Sequence, residues 1–132
     1  MFQTITCSLV VVCFTSTLSM AAEFTTDSLR AVKDNIASKK AILVDVRDKE
    51  EWDKGHVTGA VFLPLSEIKK SDRAQTPLKE LPKERIIYTH CVVGMRARKA
   101  ADILRKQGYD VRPLKAGYIE LIEAGFPDAK AK

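Results

Sequence analysis

The chain has 132 residues, which is one domain by length with enough material for one real core. Hydrophobic residues at 45% and charged residues at 30% are ordinary globular values, and neither a low-complexity segment nor an internal repeat interrupts them. The formal charge of +5 is mild and scattered, with no Lys/Arg run interleaved with aromatic residues, so it argues against a nucleic-acid partner while favouring small anions.

Met1 to Ala22 carries no charged side chain. An apolar core, Leu9 to Phe14, is followed by Thr15-Ser16-Thr17-Leu18-Ser19-Met20-Ala21-Ala22, and the small residues at 19 and 21 fit cleavage after Ala21 or Ala22. The expected organisation is therefore a cleaved signal peptide over residues 1–22 and one domain over residues 23–132, exported to the periplasm or secreted. The apolar run is too short and too broken by Thr and Ser for a spanning helix, so no membrane span is expected after cleavage; a short anchor is the alternative. Cys7 and Cys13 fall in the leader. Cys91 is then the sole cysteine of the remaining chain, which cannot form an internal disulfide.

Phe24-Thr25 reads as a short edge strand, and Thr26 or Asp27 as the cap of a helix with Leu29, Val32 and Ile36 on one face. Ala41 to Val46 is a continuous apolar run, as in a buried parallel strand. Asp48 to Lys54 is a short helix ended by Gly55, with Trp52 expected in the core. A turn at Thr58-Gly59 leads to a strand from Ala60 that Pro64 closes, and Ser66 caps a short turn with Ile68. Residues 69–84 are polar, contain Pro77 and Pro82, and read as the longest irregular stretch. Ile86 to Thr89 is the next strand. Arg96 to Gln107 is a helix with Ala97, Ala100, Ala101 and Leu104 on its inner face and Gly108 as its cap. Val111 to Leu114 is a strand that Pro113 marks as an edge. A last helix spans Tyr118 to Ala124, and the tail after Asp128 is expected to fray. Alternating strands and helices imply an α/β sandwich around a mainly parallel sheet, whose sites lie at the C-terminal ends of the strands.

Ile86 to Arg96 is the stretch around which this pattern turns. A β-branched run ends in Cys91; Val92-Val93-Gly94-Met95 form a tight loop, and Arg96 lies in the opening of a helix. Loop N–H groups and the helix dipole favour negative charge there, and so favour the thiolate of Cys91, its reactive form.

The ordered motifs resemble those of the single-domain rhodanese-like sulfurtransferases. They are Leu43-Val44-Asp45-Val46-Arg47, then Glu51 to Ala60, then Cys91 to Arg96, Leu114-Lys115-Ala116-Gly117-Tyr118, and Ala124-Gly125-Phe126-Pro127. Thr58, Ala97, Ala116 and Leu121 depart from residues common in the family, and Ala97 bears on donor contacts. The resemblance implies a rhodanese-like sandwich and a thiosulfate sulfurtransferase-like enzyme that carries a sulfane sulfur as a Cys91 persulfide. The donor is a small anion such as thiosulfate, and the acceptor is cyanide or a thiol.

Within that reading Cys91 is the nucleophile, and the backbone N–H groups of Val92, Val93, Gly94, Met95 and Arg96 bind the transferred sulfur. Arg96 either pairs with the donor's oxyanion or closes the loop; a cation in a first helical turn opposes the dipole and is expected to have a partner. Asp45 and Arg47 brace the loop. His56 and His90 are structural, no Cys/His spacing suggests zinc, and no cofactor is expected. Two rivals are a non-catalytic binding or sensor module of the same fold and a phosphatase or arsenate reductase of the related fold. The latter needs five residues between cysteine and arginine, whereas four lie between Cys91 and Arg96. The shorter cradle suits one sulfur atom.

Overall fold

The computed structural model describes residues 22–76, 78 and 81–129. The elements follow in the order α1 (Leu29–Ala37), β1 (Ala41–Asp45), α2 (Lys49–Lys54), β2 (His56–Val57), β3 (Val61–Phe62), α3 (Leu65–Ala74), β4 (Ile86–His90), α4 (Met95–Lys106), β5 (Asp110–Pro113), α5 (Tyr118–Glu123) and β6 (Asp128–Ala129). β3, β1, β4 and β5 lie side by side in that order, every pairing parallel. The central strands β1 and β4 open on apolar residues because both of their faces are covered, and turn polar only toward their carboxyl ends.

Alternation along the strands sorts the core into two layers. Val44, Val46, Ile87 and Val111 face α3 and α4, against Ile68, Ala97, Ala100, Ala101 and Leu104. Leu43, Tyr88 and Leu114 face α1 and α5, against Val32, Leu121 and Phe126. The three alanines of α4 let its backbone approach the sheet closely. Leu104, fully buried below them, contributes on the order of 2 kcal/mol. The register sets Asp45 opposite His90, so both side chains emerge on the same face at the C-terminal edge of the sheet.

Several expectations are corrected. Phe24-Thr25 is not a strand; Thr25 N–H donates to the Pro113 carbonyl at 2.9 Å, a single bond at the end of edge strand β5. The cap of α1 is Ser28, whose hydroxyl accepts the Ala31 N–H at 3.1 Å. α3 is a full helix that covers residues 65–74, where a short turn and an irregular stretch were expected. Its buried residues are Leu65, Ile68 and Ser71, and a serine on the inner face hides the helical period. Gln107 caps α4, and Gly108, at φ +92°, is the next residue out. The tail does not fray at once: Asp128–Ala129 pairs antiparallel with His56–Val57. Trp52 is only half-buried, stacked on His56 at 3.5 Å rather than set in the core. The expected leader, apart from Ala22, lies outside the described residues. No helix of those residues is long and apolar enough to cross a membrane.

Candidate active site

Cys91 follows the last residue of β4, at the carboxyl edge of the sheet, and is almost wholly buried. Residues 92–94 fold back over it, and the Gly94 N–H donates to Cys91 Sγ at 3.1 Å. Gly94 is the N-cap of α4 and has φ +92°, a conformation that costs glycine little. The turn therefore delivers a backbone donor and a helix N-terminus to the same sulfur. Gly94 also lies on the ring of Phe24: a Cβ there would stand 2.6 Å from that ring.

The loop is held at its other side by the start of α5. Tyr118 N–H donates to the Cys91 carbonyl at 3.0 Å. A Cβ on Gly117 would overlap the carbonyl oxygen of Val92, so only glycine permits this approach. Tyr118 also covers Arg47, whose guanidinium lies 4.5 Å from the ring centroid. Its hydroxyl donates to Asp128 at 2.6 Å; burial and that carboxylate push the phenol up to about 12.

Asp45 and Arg47 form a buried pair, with the Arg47 Nη2 2.8 Å from Asp45 Oδ2 and Nε within hydrogen-bond distance of both carboxylate oxygens. Arg47 also donates to the Gly55 carbonyl at 2.8 Å, which ties the end of α2 to the carboxyl edge of β1. His90 is fully buried beside this pair, with Nε2 3.6 Å from Asp45, and neither ring nitrogen has a hydrogen-bond partner. Burial lowers its pKa; the Asp45 charge opposes that shift and Arg47 adds to it. Burial thus disfavours the charged form of His90 in the fold.

Arg96 has the partner that its position in a first helical turn calls for. Its guanidinium forks onto Glu51 at 2.7 and 3.0 Å, with Asp48 a further 3.7 Å contact. The hydrogen bond from Arg96 lowers the Glu51 carboxyl, and Glu51 in turn raises Arg96. Glu51 is fixed by its own role in α2, where its side chain accepts the Asp48 N–H in a capping box. The loop's arginine is therefore anchored to α2 and not open to the cradle.

The structure brings together Cys91, Val92, Val93 and Gly94 as a loop, with Met95, expected in that loop, and Arg96 in the first turn of α4, and with Asp45 and Arg47 packed nearby. The side chains of Val92, Val93 and Met95 point to solvent. Only Gly94 aims a hydrogen-bonded amide at the sulfur. Sequence reasoning gave no site role to Glu51, Gly117, Tyr118 or Phe24. The first three lie within the ordered motifs, which were the signal available; Phe24 carried none. Beside the loop a cavity of about 330 Å³ is lined by Arg47, Glu51, Lys54, Val92, Tyr118 and Ile119 among others. Among the described residues no group of His, Cys, Asp and Glu could hold a metal ion.

Comparison with known proteins gives a consistent result. The family model described as "Rhodanese-like domain" matches residues 28–124. The probable adenylyltransferase/sulfurtransferase MoeZ of Mycobacterium tuberculosis is 32% identical over 112 residues, 83% of this chain and 28% of that protein. The putative sulfur carrier protein YrkF of Bacillus subtilis is 39% identical over 83 residues, 62% of this chain and 42% of that protein. The chain thus spans less than half the length of either relative. The crystal structure of a rhodanese-related protein from Thermoplasma volcanium has the same fold, with a TM-score of 0.65 at 21% identity, covering 83% of this chain and 100% of that one.

Proposed function

This chain belongs to the rhodanese-like domain family, and on that premise we propose that it is a thiosulfate sulfurtransferase-like enzyme whose Cys91 carries a sulfane sulfur as a persulfide. The observation that carries the reading is the Gly94 N–H aimed at Cys91 Sγ at the N-terminus of α4. The Cys91 thiolate attacks the outer sulfur of a donor such as thiosulfate. The Cys91 S–S bond forms, the donor's S–S bond breaks, and sulfite leaves with the electron pair. Cyanide or a thiolate then takes the outer sulfur, and Cys91 returns as thiolate. The Gly94 amide and the helix dipole offset the charge on the sulfur in both half-reactions.

Val92, Val93, Met95 and Arg96 contribute the rest of the cradle through their backbone, while the Arg96 side chain, locked on Glu51, closes the loop. Asp45 and Arg47 brace it from the sheet edge. Export to the periplasm or beyond, after cleavage following Ala21 so that Ala22 keeps its buried place against α4, completes the reading. It is supported by the uncharged apolar N-terminal run and the small residues that follow it.

Intact mass after incubation with thiosulfate tests the donor half. One added sulfur is expected on the wild type and none on Cys91→Ser; an unmodified wild type would turn the reading toward a binding module. Thiocyanate formed on adding cyanide tests the acceptor half. Hydrolysis of an aryl phosphate is not expected.

A further inference from the structure

Ala22 lies well before α1, yet it is packed as a core residue. It is 4% exposed and belongs to the apolar layer that faces α3 and α4. Both of its backbone polar groups are taken by α4. Its N–H donates to Asp102 Oδ1 at 2.5 Å, and its carbonyl accepts from Arg98 Nε at 2.8 Å. Arg98 and Asp102 stand four apart on α4, so they share a face and grip Ala22 from successive turns. The Asp102 side chain is partly buried, and among the described residues it joins no ion pair with lysine, arginine or histidine. Its carboxylate holds a neutral peptide N–H where a cation would bind more strongly.

The nitrogen on Asp102 is the one that leader cleavage would free. Ser19 and Ala21 place small residues third and first before the Ala21–Ala22 bond, the pattern a leader peptidase reads. Cleavage one residue later would remove Ala22 and with it both contacts to α4. Cleavage at Ala21–Ala22 keeps both contacts and charges one of them. Water adds across the bond and the C–N bond breaks. The oxygen goes to the Ala21 carboxylate, which leaves with the leader, and both protons go to the Ala22 nitrogen. A neutral donor facing Asp102 becomes an ammonium, and a charge-assisted hydrogen bond is about twice as strong as a neutral one.

We propose that Ala21–Ala22 is the processing site of this chain, and that the α-ammonium freed there pairs with Asp102 and locks the segment before α1 under the Cys91 loop. This rests on export with leader cleavage. Ala22 is buried in the fold, so the bond is cut before the segment docks. The effect reaches the loop through Phe24. Its ring lies 5.1 Å from Arg98, the residue that holds the Ala22 carbonyl, and fills the space beside Gly94. Gly94 in turn donates its N–H to Cys91 Sγ.

The full chain is expressed in a bacterial host that exports it, and the first residue of the product is read by N-terminal sequencing and intact mass. Ala22 is expected. A product that keeps the leader sinks the export reading and the proposal with it. A product cut at any other bond sinks the proposal alone. The ammonium is tested separately on two leaderless forms, one starting at Ala22 and one at Ser19, each checked by intact mass. Both contain every described residue. The longer form keeps a neutral N–H on Asp102 and carries its ammonium three residues away. In urea, the Ala22 form is expected to show an unfolding equilibrium constant about fivefold smaller, the gain from charging one partly buried hydrogen bond. Asp102→Asn keeps an acceptor oxygen and removes the charge, and should bring the two forms together. Equal constants for the two wild-type forms, a comparison that needs no substitution, would overturn the pairing, as would a gap that survives Asp102→Asn. Hydrogen exchange at the Gly94 amide should be slower in the Ala22 form by more than the global change. Exchange there that ignores the terminus would overturn the link to the loop.

Discussion

Gly117 has an ordinary backbone conformation, φ −89°, yet a Cβ there would overlap the carbonyl oxygen and carbon of Val92. The constraint is steric and acts on the segment that caps the Cys91 carbonyl. Gly94 is held by both effects: its φ of +92° disfavours other residues, and the Phe24 ring fills the space where a Cβ would go. Gly117→Ala therefore separates packing from backbone preference. The methyl group cannot be placed without moving either α5 or the loop, and neither can move freely, because Tyr118 is tied to Cys91, Arg47 and Asp128. The expected loss is about 1–3 kcal/mol, the range for an added group in a packed site, read from the urea midpoint. Persulfide loading should slow by more than the fraction unfolded accounts for, because the displaced atom is next to the sulfur. A variant with wild-type stability and loading would show that the loop is not held from α5.

The segment before α1 acts as an element although it has no regular structure. Ala22 is buried, its N–H donates to Asp102 at 2.5 Å, and its carbonyl accepts from Arg98 at 2.8 Å. Phe24 then lies between Arg98, 5.1 Å from its ring centroid, and Gly94. The strap thus underpins the turn that points the Gly94 amide at Cys91. Phe24→Ala should cost about 1–2 kcal/mol, below the value for a fully buried Phe because the ring is partly exposed. Hydrogen exchange at the Gly94 amide should quicken beyond the global change. Unchanged protection there would refute the underpinning. Elements of this kind explain what the sequence could and could not tell. β1, β4 and α4 were legible because their apolar period is local, and so was the cysteine–glycine–arginine loop between β4 and α4. α3 was not, because Ser71 breaks its inner face, and the two-residue strands β2 and β6 are too short to show a period. The contacts that hold the loop join Glu51 to Arg96 across 45 residues, and Phe24 to Gly94 across more. No local pattern encodes such pairs; they follow from strand order and register.

The whole molecule's response to pH follows from where its titratable groups are buried. His90 is disfavoured as a cation in the fold by burial and by Arg47, against the pull of Asp45. Below its ordinary 6.5 the unfolded chain binds a proton that the folded one does not, so stability falls as pH drops through that region. Asp27, lowered by the Tyr88 hydroxyl and by Arg112, and Glu51, lowered by Arg96, stabilise the fold only while ionised in both states. Their contribution is lost as pH falls below the ordinary 3.8 and 4.5. On the alkaline side the signs reverse. Tyr88 and Tyr118, both raised chiefly by burial, keep their protons in the fold after the unfolded chain begins to lose them near 10. Stability then falls as pH rises from 10 toward the Tyr118 value of about 12. The expected profile is a plateau from about pH 6.5 to about pH 10, with a first acid step from His90 and a steeper one from the carboxylates. Urea midpoints at constant ionic strength measure it. His90→Gln should flatten the step below pH 6.5 and leave the carboxylate step in place, while Tyr118→Phe should flatten only the alkaline limb. A wild-type midpoint that does not change between pH 7 and pH 5 would mean that His90 takes up its proton in the fold. The Asp45 carboxylate 3.6 Å away would then outweigh the cost of burying the charge.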